Sequence, residues 1–457
     1  MIEQVQAYVA ENRDRFISEL QEFCRIPSLS ASDQQMDEGA AFVRKMLKER
    51  GVSSKILETP RHPAVFGEIK GSTNRALLLY AHYDVQAPEP LEEWIADPFE
   101  ARIIDGKIYA RGVSDHKSSV VARIHGLETF LAVMGELPVT LKFIIEGEEE
   151  IGSPSLEGLL RENRELLKAD AALYSGGRKD ERDRPRVVCG SKGMCYVELI
   201  SRGAVSDVHS REAPLVPSPV WRLIWALSTL KDPETDRVLI DGFYDDVESP
   251  TSDDIEAVKA MDFDSDAYGQ ALGLDRLLGG REGWEAALHQ MFSPTCTVAG
   301  LTAGYQGPGS KTVLPNRASA KIDFRLVVQQ CPQDILAKLR SHLDRHGFED
   351  IEVVSHNFLE ADRTPLNHPL VEVIRRAAER TYDEPVILQP TAAGSGPRYL
   401  FRRILGLPMV SDCGSAYQGG NHHAPNENIR VSDYLDNVQH MAHVYDLFAQ
   451  SGIGARS

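Results

Sequence analysis

Apolar residues recur along this chain in two rhythms, one helical and one strand-like, and their order predicts the architecture. Ile2, Val5, Val9, Phe16, Ile17, Leu20 and Phe23 fall at roughly helical spacing, which predicts an amphipathic helix at the start. In residues 37–51, Ala40, Phe42, Val43, Met46 and Leu47 share one helical face, and Gly51 is a suitable stop. Residues 76–81 (ALLLYA) and 139–145 (VTLKFII) are short unbroken apolar runs of the kind found in buried strands. Helices are predicted over 118–131 and 157–167, and a short strand over 169–173. The strand–helix–strand order predicts an α/β unit: a mixed, mostly parallel sheet flanked by helices.

The rhythm changes near Ser191. Residues 195–202 (CYVELISR) alternate like a half-exposed strand, and 318–327 do so more strictly. Helical patterns at 219–230 and 332–346 accompany them. A smaller α+β domain with an antiparallel sheet is therefore expected over 191–388. From about Gln389 short apolar runs return between Gly and Pro turns, closing on a helix at 433–451. The expected organisation is one domain, 1–190 and 389–457, interrupted by the insertion. A length of 457 residues, too great for a single core, agrees. No internal repeat or low-complexity tract is evident.

Composition narrows the class of partner. A formal net charge of -18 argues against nucleic acid, whose phosphates need a basic face. The six cysteines form no CxxC pair, which fits reduced thiols better than a disulfide frame or a thiolate zinc site. No apolar run approaches the ~20 residues needed to span a bilayer, and no basic stretch followed by an apolar one opens the chain. A soluble, cytoplasmic protein without a membrane partner is the expectation.

The candidate chemistry sits where strands end. The run 76–81 passes into His82-Tyr83-Asp84, and a His and an Asp two apart project to the same side. The Asp can accept the second imidazole N–H and turn the ring toward a metal; taken alone, such a pair is more often a structural histidine. Asp115 lies in a Gly-containing loop that opens a helix at Ser118, where a helix cap is the simpler explanation. The strand 139–145 ends in Glu146-Gly147-Glu148-Glu149-Glu150, and adjacent carboxylates behind so apolar a strand repel one another unless a cation lies among them. Residues 419–427 (GGNHHAPNE) place His422 and His423 in a late Gly-rich loop. Ligands gather outside the carboxyl ends of strands in such sheets, and His, Asp and Glu together suit Zn²⁺ or Mn²⁺.

These segments together resemble the M20 family of metallopeptidases, which contains carnosinase-like dipeptidases, carboxypeptidases and aminoacylases. The resemblance spans nearly the whole chain: H-x-D after a strand, G-x-x-D-x-K at 112–117, E-G-x-E-E-x-G-S at 146–153 and a late H-A-P-N-E. It implies a catalytic domain split by a dimerisation or lid domain, hence a homodimer, and one or two ions per subunit (Zn²⁺, Mn²⁺ or Co²⁺). By resemblance His82 holds one metal, Asp115 bridges two, Glu150 and His423 hold the other, and Asp84 orients His82. Aligning Gly147 and Gly152 with the family's glycines makes Glu149 the general base and leaves Glu148 at a variable position. His209 resembles the family's oxyanion-stabilising histidine, which serves the partner subunit. Thr312, Arg325, Gly394 and Ser395 fall at substrate-binding positions. The implied activity is metal-dependent hydrolysis of an amide bond in a dipeptide or small peptide. The alternatives are an N-acyl or N-carbamoyl amino acid amidohydrolase, or a weak or inactive homologue that binds metal or ligand.

One position departs from the family. After the strand at 169–173 a carboxylate usually completes the His82-side metal site, but here the chain reads Tyr174-Ser175-Gly176-Gly177. Asp180, Glu181 and Asp183 follow, and the sequence does not say whether any of them returns to the site.

Overall fold

The strand Ala76–His82 is buried along its whole length, as its apolar run requires. In this computed structural model, which describes residues 1–454, it lies inside a six-stranded sheet. The order across the sheet is Ser53–Leu57, Ala64–Ile69, Thr140–Glu146, Ala76–His82, Ala171–Tyr174, Met409–Ser411. The last four strands run parallel, and the first two add an antiparallel edge. The sheet is thus mixed and mostly parallel, the fold class expected, with the apolar runs 76–81 and 139–145 among its parallel strands. Strands Ser53–Leu57 and Ala64–Ile69 lack a strong periodic signal and were not anticipated.

The helix Ser118–Met134 is buried on nearly all sides and packs against the last helix, Val431–Gln450. A Cβ at Gly126 would lie 2.6 Å from the Cβ of Met441, so glycine is what lets the two helices come this close. The opening helix is two helices, Ile2–Glu11 and Arg13–Cys24, parted at Asn12, whose side-chain amide donates to the Tyr8 carbonyl at 2.9 Å. The apolar stripe continues across the break, which is why spacing alone reads it as one helix.

The chain forms two compact units: 1–190 with 364–390 and 400–457, and 191–363 with 391–399. The second carries a four-stranded antiparallel sheet in the order Thr295–Ala303, Arg317–Leu326, Gly193–Arg202, Glu352–Leu359. Helices Pro219–Ser228 and Pro332–Arg345 place Leu223, Ala226, Ile335 and Leu339 in one core with Val197, Leu199, Ile322 and Phe324 of the sheet. An insertion over 191–388 was the expectation; residues 364–388 lie instead in the first unit, and 391–399 in the second. Helix Pro369–Glu379 buries Leu370, Val371, Ile374, Ala377 and Ala378 in the first unit's core, against Val431–Gln450. Strand Ile387–Gln389 pairs in parallel with Arg186–Val188. An amphipathic stripe shows that a helix has a buried face, not which core receives it.

Candidate metal centre

Parallel pairing aligns the carboxyl ends of three strands. His82 pairs with Glu146, and Tyr80 with Tyr174, so the segments after residues 82, 146 and 174 leave the sheet at one edge. There the three adjacent glutamates separate in role. Glu148 is buried and accepts from Thr59 Oγ1, the His62 N–H and the Ser155 N–H, each at 2.9 Å. It is a tie between loops. The next two residues begin a short turn, Glu149–Ile151, whose N–H groups at Glu149 and Glu150 donate to the Asp84 carboxylate at 3.2 and 2.9 Å. Asp84 therefore holds the glutamate turn. Its Oδ1 also lies 3.3 Å from His82 Nδ1, while its own carbonyl oxygen is nearer, at 3.1 Å.

Asp115 is carried by a loop fastened from the far end of the chain. The Glu427 carboxylate accepts from the N–H groups of Gly112 and Ser114 at 2.8 Å, of Asp115 at 3.0 Å, and from Arg111 Nη1 at 2.7 Å. Both charged side chains of this pair are buried. The two oxygens of Asp115 then face different neighbours. Oδ1 lies 3.3 Å from His82 Nε2 and 3.0 Å from His116 Nε2. Oδ2 lies 2.9 Å from His423 Nε2, which is itself 3.2 Å from Glu150 Oε2. Two groups of ligand-type atoms result, His82/Asp115/His116 and Asp115/Glu150/His423, with all atoms in a group within 4.8 Å of one another.

At metal bonds of 2.0–2.2 Å, tetrahedral ligand atoms stand roughly 3.3–3.6 Å apart, so both groups fit a cation. Oε1 of Glu150 adds to this: it is buried and has no hydrogen-bond partner among the described residues. His422 belongs to neither group; its Nε2 is 2.8 Å from Ser114 Oγ.

The local charges point the same way. Burial opposes protonation of His82, but Asp115, Asp84 and Glu149 outweigh it and hold its pKa well above the ordinary value. His423, held by Asp115 and Glu150 against partial burial, is pushed up to about 10. Burial, with repulsion from Asp115, Glu150 and Asp84, raises Glu149 to about 7, although His82 acts to lower it. The Tyr174 hydroxyl donates to Glu149 Oε1 at 3.3 Å. Such an accumulation of carboxylates around buried nitrogens is stabilised by a cation.

The remaining anticipated residues lie in the second unit. His209 is exposed, its Nδ1 accepts from the Arg211 N–H at 3.1 Å, and its Nε2 is 3.4 Å from Thr312 Oγ1. Arg325 donates through Nη1 to Ser395 Oγ and through Nε to Asp323, both at 3.0 Å. The Gly394 carbonyl accepts from the Lys192 N–H at 2.9 Å. Neither group of ligand-type atoms includes Asp180, Glu181 or Asp183. Asp180 accepts from Arg184 and from the N–H groups of residues 182 and 184, and Asp183 pairs with Arg430.

Sequence reasoning passed over His116, Arg111 and Glu427. Glu427 stands in the quoted H-A-P-N-E stretch and Arg111 in the loop before Asp115, but nothing local signals that the two pair across 316 positions. His116 follows Asp115 in the same loop, and neither spacing nor hydrophobic pattern marks it.

The parallel-sheet edge thus presents a shared Asp between imidazoles and carboxylates, a set of atoms that could hold a metal ion, and similarity to known proteins gives the class. The model of peptidase family M20/M25/M40 matches residues 78–447, and the chain belongs to that family. It is a metallopeptidase. A crystal structure of an M20 family metallo-carboxypeptidase from Sulfolobus solfataricus is 39% identical, with a TM-score of 0.89 over 95% of this chain and 99% of that one. Rat Beta-Ala-His dipeptidase is 26% identical over 83% of this chain and 82% of its own length. The Cys-Gly metallodipeptidase of Schizosaccharomyces pombe is 25% identical over 94% and 95%.

Proposed function

We propose that this chain hydrolyses the amide bond of a dipeptide or small peptide, with Glu149 as general base and with His82, Asp115, Glu150 and His423 holding one or two Zn²⁺, Mn²⁺ or Co²⁺ ions. The observation that carries the reading is the division of Asp115, one oxygen toward each group of nitrogen and oxygen atoms. When bound there, a divalent cation supplies a water whose pKa falls toward about 7 and polarises the scissile carbonyl. Glu149, a buried carboxylate beside this group of atoms, is the residue to accept a proton from the attacking water and return it to the leaving amine. Asp84 keeps the glutamate turn and the His82 ring in place. Because Nδ1 of His209 accepts a backbone N–H, its neutral form carries the proton on Nε2, which makes Nε2 a donor suited to a developing oxyanion. Arg325, whose guanidinium reaches Ser395, is the charge for the substrate's terminal carboxylate, with Ser395 and Gly394 alongside, and Thr312 lies beside His209. The reading includes a homodimer in which His209 serves the partner's site.

The test is a panel of dipeptides, including Cys-Gly and β-Ala-His, beside N-acetyl and N-carbamoyl amino acids, assayed with metal-loaded and chelator-treated protein. Free amino acids should appear from dipeptides and cease on chelation. Turnover of the acyl amino acids alone would overturn the substrate class, and no turnover of any compound would overturn the activity. Specific activity should fall on dilution; a fully active monomer rules out the shared site.

A further inference from the structure

We infer that His116 is the third protein ligand on the His82 side of the metal centre, an imidazole in place of the carboxylate that the family resemblance implies after the strand Ala171–Tyr174. The inference rests on the metallopeptidase reading above and concerns how its second ion is held.

Three observations converge on it. His116 Nε2 lies 3.0 Å from Asp115 Oδ1, the same oxygen that lies 3.3 Å from His82 Nε2, and the three ligand atoms fall within 4.8 Å of one another. The rings of His82 and His116 stand edge to face with centroids 5.2 Å apart, so both can present nitrogen to one point without stacking. The third observation comes from the opposite strand. Two residues beyond the paired Tyr80 and Tyr174 stand His82 and Gly176, so position 176 borders the same spot. A Cβ at Gly176 would lie 3.2 Å from His116 Nε2 and 3.3 Å from its Cε1, and Gly176 has φ +122°, where side chains are strained. A side chain at 176 and the imidazole of His116 are thus alternative occupants of one space. Here the imidazole has it.

The exchange changes the chemistry. The His82 side then has two imidazoles and one shared carboxylate, whereas the His423 side has one imidazole with Glu150 and the same carboxylate. One negative charge fewer faces the His82-side ion. Nitrogen in place of oxygen also moves preference toward zinc and cobalt and away from manganese and magnesium. Neither group of ligand-type atoms includes Asp180, Glu181 or Asp183, and Asp180 and Asp183 are engaged with Arg184 and Arg430.

The test uses the full-length protein, stripped with chelator and titrated with Co²⁺, with bound metal counted by elemental analysis and absorption. The wild type should take up two ions. His116→Ala and His116→Phe, the second keeping ring volume, should retain one ion tightly and bind the other at least tenfold more weakly. X-ray absorption of the zinc-loaded wild type should fit three imidazoles shared over two ions, a readout that needs no variant. Unchanged uptake of both ions by the variants overturns the inference, as do two imidazoles in the absorption fit or a single ion in the wild type. A wild type that takes up no metal overturns the metallopeptidase reading itself, an outcome distinct from the others.

Discussion

The carboxyl edge of the parallel strands and the final helix Val431–Gln450 both bury histidines, His82 in the first and His440 and His443 in the second. At the edge, Asp115, Asp84 and Glu149 overcome the cost of burial, and His82 is held well above its ordinary pKa. In the helix burial prevails. It pushes both His440 and His443 down to about 4, with Asp412 opposing at His440, and with His440 and Arg380 adding to the effect at His443. Neither ring nitrogen of His443 has a hydrogen-bond partner among the described residues. The same side chain, equally hidden, is a ligand candidate in one place and packing material in the other. What separates them is the carboxylates within reach.

Substitutions at the edge should therefore act on turnover and metal, and those in the helix on stability. The largest effect is expected for Glu149→Gln: turnover falls about 10²–10⁴-fold, the range of general acid–base catalysis, while metal content and melting temperature stay near wild type. Activity within tenfold of wild type would remove Glu149 from the role of base. Glu427→Gln comes next and crosses the divide. It leaves buried Arg111 without its counter-charge, at a cost of about 3–5 kcal/mol in chemical denaturation, and slackens the Asp115 backbone so that metal affinity drops on both sides of Asp115. Normal stability in this variant would mean that the buried pair is dispensable.

Acid should expose the helix. Each helix histidine has a folded pKa of about 4 against 6.5 for the ordinary imidazole. Above pH 6.5 neither state is protonated and their contribution to stability is complete. As pH falls from 6.5 toward 4, the unfolded chain takes up protons that the folded chain excludes, so stability is lost at about 1.4 kcal/mol per pH unit for each histidine. His440→Leu or His443→Leu should flatten the denaturation free energy over that window and leave metal uptake alone. An unaltered slope in both would place their protonation outside folding. The smallest change is expected from Tyr174→Phe, which removes one hydrogen bond to Glu149, about 0.5–1.5 kcal/mol, and lowers kcat less than tenfold with metal retained. A larger fall would assign Tyr174 a direct part in the reaction.

The strands of the metal edge were legible because a buried parallel strand needs an unbroken apolar run, and Ala76–His82 and Thr140–Glu146 have one. The choice of His423 over His422 and of Glu150 over Glu149 as ligand candidates came from motif register, and the geometry places His423 and Glu150 in one group with Asp115. His116 was not legible, since a histidine beside an aspartate in a loop has no pattern of its own. The allegiance of helix Pro369–Glu379 was hidden for a related reason: its stripe would suit either core.

The sequence by itself determined the fold class, most of the local elements, the family and four of the side chains that meet at this edge, His82, Asp115, Glu150 and His423. These depend on the order and type of neighbouring residues, which hydrophobic period and motif spacing report directly. Only the tertiary structure decided which atoms face one another. It set Asp115 with one oxygen toward each side, tied its loop to Glu427 across the chain, and opened at Gly176 the space that His116 fills. Those relations are distances between segments far apart in the chain, and they exist only once the strands have paired in register.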